Sequence, residues 1–202
     1  MWHPSPVSTG RLALGVGGIA LVVVLALGIS QAVKHSAPPP AAGTALTASQ
    51  ISRRLDGAPP ALAALHRQAN EILPGARKGL RTRLATLRGH PAVVNIWAAW
   101  CGPCRAEMPV MQRVSLDMGK QVAFVGVDMR DNHESAATFL RKIPVTYPSY
   151  DDPSGQVYNA EQLVGVPSTL FYDKTGKQTF VHQGPYFRRA DLVDDIRRYA
   201  GP

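Results

Sequence analysis

An α/β sandwich, with strands and helices alternating about one sheet, is the fold class this sequence predicts, and three stretches predict it. The run AVVNIWAAW from Ala92 is apolar and rich in Val and Ile, as a buried parallel strand is. Met108, Met111, Val114 and Leu116 follow it at helical spacing, so a strand hands over to a helix near Cys101. Val122–Val127 (VAFVGV) reads as a second buried strand. Thr169–Tyr172 and Gln178–His182 flank the turn sequence Asp173-Lys174-Thr175-Gly176, which predicts a hairpin. The order β-α-β-α-β-β-α, parallel at its start and closed by a hairpin, packs as layers of helix against a sheet.

Taken from the N-terminus, residues 1–11 read as a short cytoplasmic arm. Leu12–Ile29 is eighteen residues without a charge and extends to Val33 through only Ser30 and Gln31, long enough to span a bilayer as a helix. Residues 12–33 are therefore read as a transmembrane signal-anchor. Ser30-Gln31-Ala32 and His35-Ser36-Ala37 resemble small-residue cleavage sites, which makes a cleaved signal the alternative. No cysteine follows the apolar run, so a lipidated N-terminus is excluded. Arg11 and Lys34 leave the charge rule for orientation nearly silent, and the simpler topology keeps the arm inside and the domain outside. Residues 34–58 read as a linker, in which SAPPP favours an extended spacer.

The domain is expected over 59–202. Leu62, Leu65, Ala69, Ile72 and Leu73 recur at three and four, predicting helix until Pro74-Gly75 breaks it. Leu80, Leu84 and Leu87 form a second short stripe, ended by Gly89-His90-Pro91. Asp131–Ile143 is expected as a helix with Asp131 and Glu134 as a capping box. Val145–Tyr150 is short and extended, and Arg188–Ala200 places Leu192, Val193, Ile196 and Tyr199 on one helical face.

Composition is ordinary for a globular chain, with 45% hydrophobic and 18% charged residues. The net charge of +8 is uneven: eight Lys/Arg against Asp56 and Glu71 put most of it in Arg53–His90. Such a run can face nucleic acid or anionic lipid. No aromatic residue lies between Trp2 and Trp97 to stack single strands, so the run reads as a solvated helical face without a nucleic-acid partner.

Cys101 and Cys104 are the only cysteines, so any disulfide within the chain is this one. Their position at a helix N-terminus has a chemical purpose. The thiolate is the attacking species, and a free cysteine with a pKa of about 8.5 is only slightly ionised at neutral pH. Unpaired amides and the positive end of the helix favour the anion on Cys101. Cys104, one turn on, is placed to resolve a mixed disulfide. Pro103 suits the first helical turn and Gly102 the tight loop. A zinc site would need four ligands, and no second pair has suitable spacing. A purely structural disulfide closing so short a loop would stabilise little.

Trp100-Cys101-Gly102-Pro103-Cys104 resembles the thioredoxin active site. The longer string VVNIWAAWCGPCRAEMPVM resembles the membrane-anchored TlpA/ResA-like branch, whose members include cytochrome c maturation reductants. The resemblance runs from about Leu84 to Tyr199 and implies a thioredoxin-like three-layer sandwich carrying the branch's insertion over Asp131–Asn159. It places Pro109 at the helix-kinking proline and Gly165-Val166-Pro167-Ser168-Thr169 at the cis-proline loop, where the Val166 backbone would pair with a substrate strand. Asn95 stands where thioredoxin has a buried aspartate. Glu107 stands where the branch carries a glutamate, expected to tune Cys104 and assist its proton transfer; a surface glutamate near a helix N-terminus is the competing reading. Trp97 and Trp100 are expected as walls of the site. The element before the first core strand departs from the branch, because Ala58-Pro59-Pro60-Ala61-Leu62 leads into helical sequence.

The resemblance implies an extracytoplasmic thiol–disulfide oxidoreductase without cofactor or metal. It would act through Cys101 and Cys104 on disulfides of exported proteins such as apocytochrome c, and take electrons from a membrane thiol donor. A general oxidant or isomerase is the alternative. Copper delivery using His133 or His182 is a third reading, but its usual motif is one residue longer than this one. A peroxidase would need a Thr-x-x-Cys context that the chain lacks.

Overall fold

The computed structural model describes residues 48–201. The expected anchor at 12–33 and the arm before it lie outside these residues. No helix among the described residues is long and apolar enough to cross a membrane.

The first described element is a helix, α1 (Ala48–Leu55), within the stretch read as linker. It forms because Ile51 and Leu55, one turn apart, bury against Leu116, while Arg54 pairs with Asp117 at 3.3 Å. The linker reading is corrected at that end. Helix α2 (Pro60–His66) starts on a proline at its first position, where no amide is lost. Ile72 and Leu73, expected in the same helix, instead form strand β1 (Ile72–Leu73). The helix cannot continue because Asn70 takes a left-handed φ of 65° and its side chain accepts the Val145 N–H. Helix α3 (Ala76–Thr86) follows the Pro74-Gly75 break.

Then come β2 (Ala92–Trp97), α4 (Gly102–Met118), β3 (Ala123–Met129), α5 (His133–Lys142), β4 (Ser149–Asp152), α6 (Gln156–Ala160), β5 (Ser168–Tyr172) and β6 (Gln178–Gln183). The last helix, α7 (Arg189–Asp195), widens into a π turn over Ile196–Ala200. Strand order is β1-β4-β3-β2-β5-β6, with β1 to β4 parallel and the β5–β6 hairpin antiparallel. The alternating order expected from Ala92 onward is what forms. Helix α6 was not foreseen; the Asp152 carboxylate holds its first turn by accepting from Gln156 N and Val157 N at 2.7 and 2.8 Å.

Because neighbouring residues of β2 point to opposite faces, the strand feeds two cores. Val93 and Trp97 pack with Cys104 and Met108 of α4, Phe139 of α5 and Leu192 of α7. Val94 and Ile96 pack with Leu62 of α2, Leu80 of α3 and Val157 of α6. The result is helix, sheet, helix in three layers. The α5 cap differs from the one expected: Asn132 accepts from Glu134 N and Ser135 N, because Asp131 is turned to other work. Trp97, expected as a wall of the site, is fully buried, its ring tilted 36° against Phe139 at 5.2 Å and its Nε1 donating to Ser149 Oγ at 3.0 Å. A Cβ added at Gly126 would collide with Ser149 Oγ and lie 3.0 Å from Trp97 Nε1. Gly126→Ala is therefore expected to cost about 2 kcal/mol of stability, read from the urea midpoint.

Candidate active site

The site sits where β2 ends and α4 begins. Cys101 and Cys104 are joined by a disulfide, and the Cys104 N–H lies 3.1 Å from Cys101 Sγ. That amide is one of the unpaired donors of the first helical turn and is already aimed at the sulfur that would carry negative charge. Cys101 is 4% exposed and Cys104 wholly buried, so an attacking sulfur reaches the pair from the Cys101 side. Gly102 and Pro103 are exposed beside it. Pro109 lies inside α4, which runs on to Met118.

The loop carrying Pro167 lies across from the pair. The Val166–Pro167 peptide bond is cis, and the Val166 carbonyl oxygen lies 3.6 Å from Cys101 Sγ. The oxidised sulfur has no hydrogen to donate, so this is a contact across the mouth of the site in the disulfide form. Pro167 is buried, while Val166 is half-buried. Trp100 stands exposed at the rim, its Nε1 donating to the Arg130 carbonyl at 3.2 Å. With Val164 and Phe187 it makes up the strongly exposed large hydrophobics among the described residues.

Beneath the pair, Glu107 is 1% exposed, which corrects the surface reading of that residue. It lies one turn after Cys104 on α4, on the same helix face. Its Oε1 accepts the Tyr186 N–H at 3.2 Å and its Oε2 accepts from Asn95 Nδ2 at 3.3 Å. Burial outweighs both bonds and lifts the carboxyl from 4.5 to about 7. Asn95 Oδ1 has no partner. Rotating that amide would offer an acceptor to Glu107 once it is protonated, so the pair can satisfy either protonation state. The Tyr147 hydroxyl is held protonated by burial first and by the Glu107 charge second.

A clamp behind the cysteines was not legible in the sequence. The Ala99 N–H donates to the Asp131 carboxylate, and Arg105 forks onto the Ala99 carbonyl at 2.9 and 2.7 Å. These fix the backbone two residues before Cys101. Asp128, paired across the sheet with Trp97 and Asp151, is buried with neither carboxylate oxygen partnered. Burial first, then the charges of Asp131 and Asp151, lift it from 3.8 to about 8. The one sequence signal was an acidic residue next to the end of an otherwise apolar strand.

The two histidines weighed for copper have other surroundings. His133 opens α5 in solvent, and His182 stacks on Tyr186 at 4.1 Å with Asp195 3.9 Å away. Among the described residues no group of three or more His, Cys, Asp or Glu is arranged to hold a metal. The site as built can exchange one disulfide for another.

The AhpC/TSA family matches residues 67–180, more than half of the chain. The thiol-disulfide oxidoreductase ResA of Geobacillus kaustophilus is 34% identical over 123 residues, 60% of this chain and 68% of that protein. Two further ResA proteins, 31% and 33% identical, are spanned over 54% and 58% of their lengths. Among solved structures, dsbF of MTB in mixed oxidised and reduced forms aligns with a TM-score of 0.52 at 31% identity, covering 56% of this chain and 83% of that one. A secreted Mycobacterium tuberculosis disulfide oxidoreductase described as homologous to E. coli DsbE gives a TM-score of 0.52 at 25% identity, covering 56% and 85%.

Proposed function

Because the chain belongs to the AhpC/TSA family and carries the cysteine pair of a thiol–disulfide oxidoreductase on a thioredoxin-like fold, we propose that it reduces disulfides of exported proteins outside the cytoplasm. Residues 12–33 hold it in the membrane with the domain on the extracytoplasmic side. Apocytochrome c is the foremost substrate in this reading, and a membrane thiol donor restores the reduced state.

The observation that carries the direction is the buried Glu107 below Cys104. In the working cycle, the Cys101 thiolate attacks one sulfur of the substrate disulfide and expels the other as a thiolate. Glu107 takes the Cys104 proton as that sulfur attacks Cys101 Sγ. The second substrate sulfur leaves, two electrons have passed to the substrate, and Cys101 and Cys104 are oxidised. A carboxylate beneath the pair disfavours extra negative charge on the reduced cysteines and so favours the disulfide form of the protein. That makes the reduced protein the better electron donor. The exposed Trp100 suits an apolar segment of an unfolded substrate, and in this reading the Val166 backbone pairs with that segment.

Equilibration of the Cys101–Cys104 pair with a dithiol buffer tests the reading. A potential more negative than about −220 mV is expected, and one near about −120 mV, as for a periplasmic oxidant, would overturn it.

A further inference from the structure

A second groove lies away from the cysteines. A cavity of about 750 Å³ runs along the outer face of α3 and is lined by Arg77, Lys78, Arg81 and Arg88, with Glu161 as its single carboxylate. The four cations are exposed, and none of them has an ion pair or a hydrogen bond among the described residues. Arg83, by contrast, is spent inside, donating to Tyr150 Oη and Gln68 Oε1. Helix α3 carries no acidic residue. Four exposed cations set against one carboxylate give the groove a net positive potential that attracts anions.

We propose that this groove docks the domain on anionic phospholipid headgroups of the membrane in which residues 12–33 are anchored. This rests on the membrane attachment proposed above. Between Val33 and Ala48 lie fourteen residues, whose full reach is about 50 Å. A tether of that length confines the domain to the neighbourhood of the bilayer, where weak electrostatic contacts act at high effective concentration. The charge pattern fits headgroups, which present a plane of phosphates. It fits single-stranded nucleic acid poorly, because Tyr172 is the one aromatic in the lining and is buried. Docking there leaves the chemistry free. Leu80 of α3 packs against Val94 and Ile96, whereas Cys104 of α4 packs with Val93 and Trp97 on the opposite face of the sheet. The groove and the disulfide therefore lie on opposite sides, and a domain seated on lipid presents its cysteines away from the surface.

Amine acylation of the full chain in vesicles tests this, with labelling at Lys78 and at Lys142, which lines the groove beside Trp100, read by mass spectrometry. In phosphatidylcholine containing phosphatidylglycerol at low salt, Lys78 is expected to label roughly tenfold more slowly than in phosphatidylcholine alone. Lys142 should label equally in both, and about 0.5 M salt should restore Lys78. The double substitution R77Q/R81Q should weaken docking by about 30-fold and abolish the protection, with disulfide reduction unchanged. A chain that floats with both vesicles while Lys78 labels equally in each overturns the docking and leaves the anchor standing. A chain that floats only with the anionic vesicles, Lys78 protected, supports the docking and overturns the anchor. Equal protection of Lys78 by a single-stranded oligonucleotide at matched phosphate concentration overturns the assignment to lipid.

Discussion

Cys104→Ser is expected to leave the protein covalently joined to its substrate after one round. Cys101, with the Cys104 amide 3.1 Å from its sulfur, still attacks, but nothing resolves the mixed disulfide. Each chain should capture one equivalent and stop, seen as a mass increase on non-reducing analysis that vanishes with dithiothreitol. Cys101→Ser should capture nothing, because the remaining sulfur, Cys104, is wholly buried. Multiple turnover falls to background in both. Unfolding is too small an effect to explain that loss: closing a four-residue loop contributes at most about 2 kcal/mol. Circular dichroism of both variants should match the parent. Capture of substrate by Cys101→Ser but not by Cys104→Ser would reverse the assignment of nucleophile and resolving thiol.

How much of this was legible in the sequence depended on whether a residue's environment is local. The cysteine pair, Pro103 and the strand before them lie in one contiguous run, and their arrangement follows from the strand-to-helix pattern and the motif. Glu107 was legible in position but not in burial. Three residues after Cys104 at a helix start suits an exposed acid equally well, and only the packing of Tyr186 from 79 residues away closes it over. Trp97 and Trp100 look alike in sequence, yet Trp97 is the last residue of β2 and turns into the core, while Trp100 lies beyond the strand. Ile72 and Leu73 kept helical spacing with what precedes them, and a two-residue strand is too short to show a period of two. Asp131 and Asn132 are both good helix caps. Asn132 caps α5 because Asp131 is engaged by the Ala99 amide, a contact 32 residues away in sequence. Asp128 showed only as an acid in an otherwise apolar strand, and its cost is set by strands β2 and β4 on either side.

The second large effect belongs to Glu107 and is a matter of sign. The folded protein keeps this proton up to about pH 7, whereas the ordinary carboxyl value of 4.5 applies once the chain unfolds. Below pH 4.5 both states are protonated and the residue costs nothing in charge. As pH rises through 4.5 to 7, the unfolded state gains by ionising and the folded state does not, so stability falls. Above pH 7 the full cost is present, about 3 kcal/mol at 1.36 kcal/mol per pH unit. Glu107→Gln removes the titration while keeping the shape. Its carbonyl can still accept the Tyr186 N–H, and Asn95 can rotate to offer the unpartnered Oδ1 to the new amide. The variant should match the parent near pH 4 and exceed it by up to about 3 kcal/mol at pH 8 in urea unfolding of the oxidised protein. A shallower fall should persist in the variant, because Asp128, lifted from 3.8 to about 8, follows the same rule over a wider window that contains that of Glu107. The gain in stability comes with a loss of function. Without a carboxylate under Cys104, the disulfide form is less favoured and the potential becomes less negative, by about 30 mV for each tenfold change in the exchange constant. Resolution of the mixed disulfide should also slow, and its pH dependence through 7 should disappear. A variant with the parent's potential and the parent's pH profile, but altered stability, would reduce Glu107 to a buried structural residue.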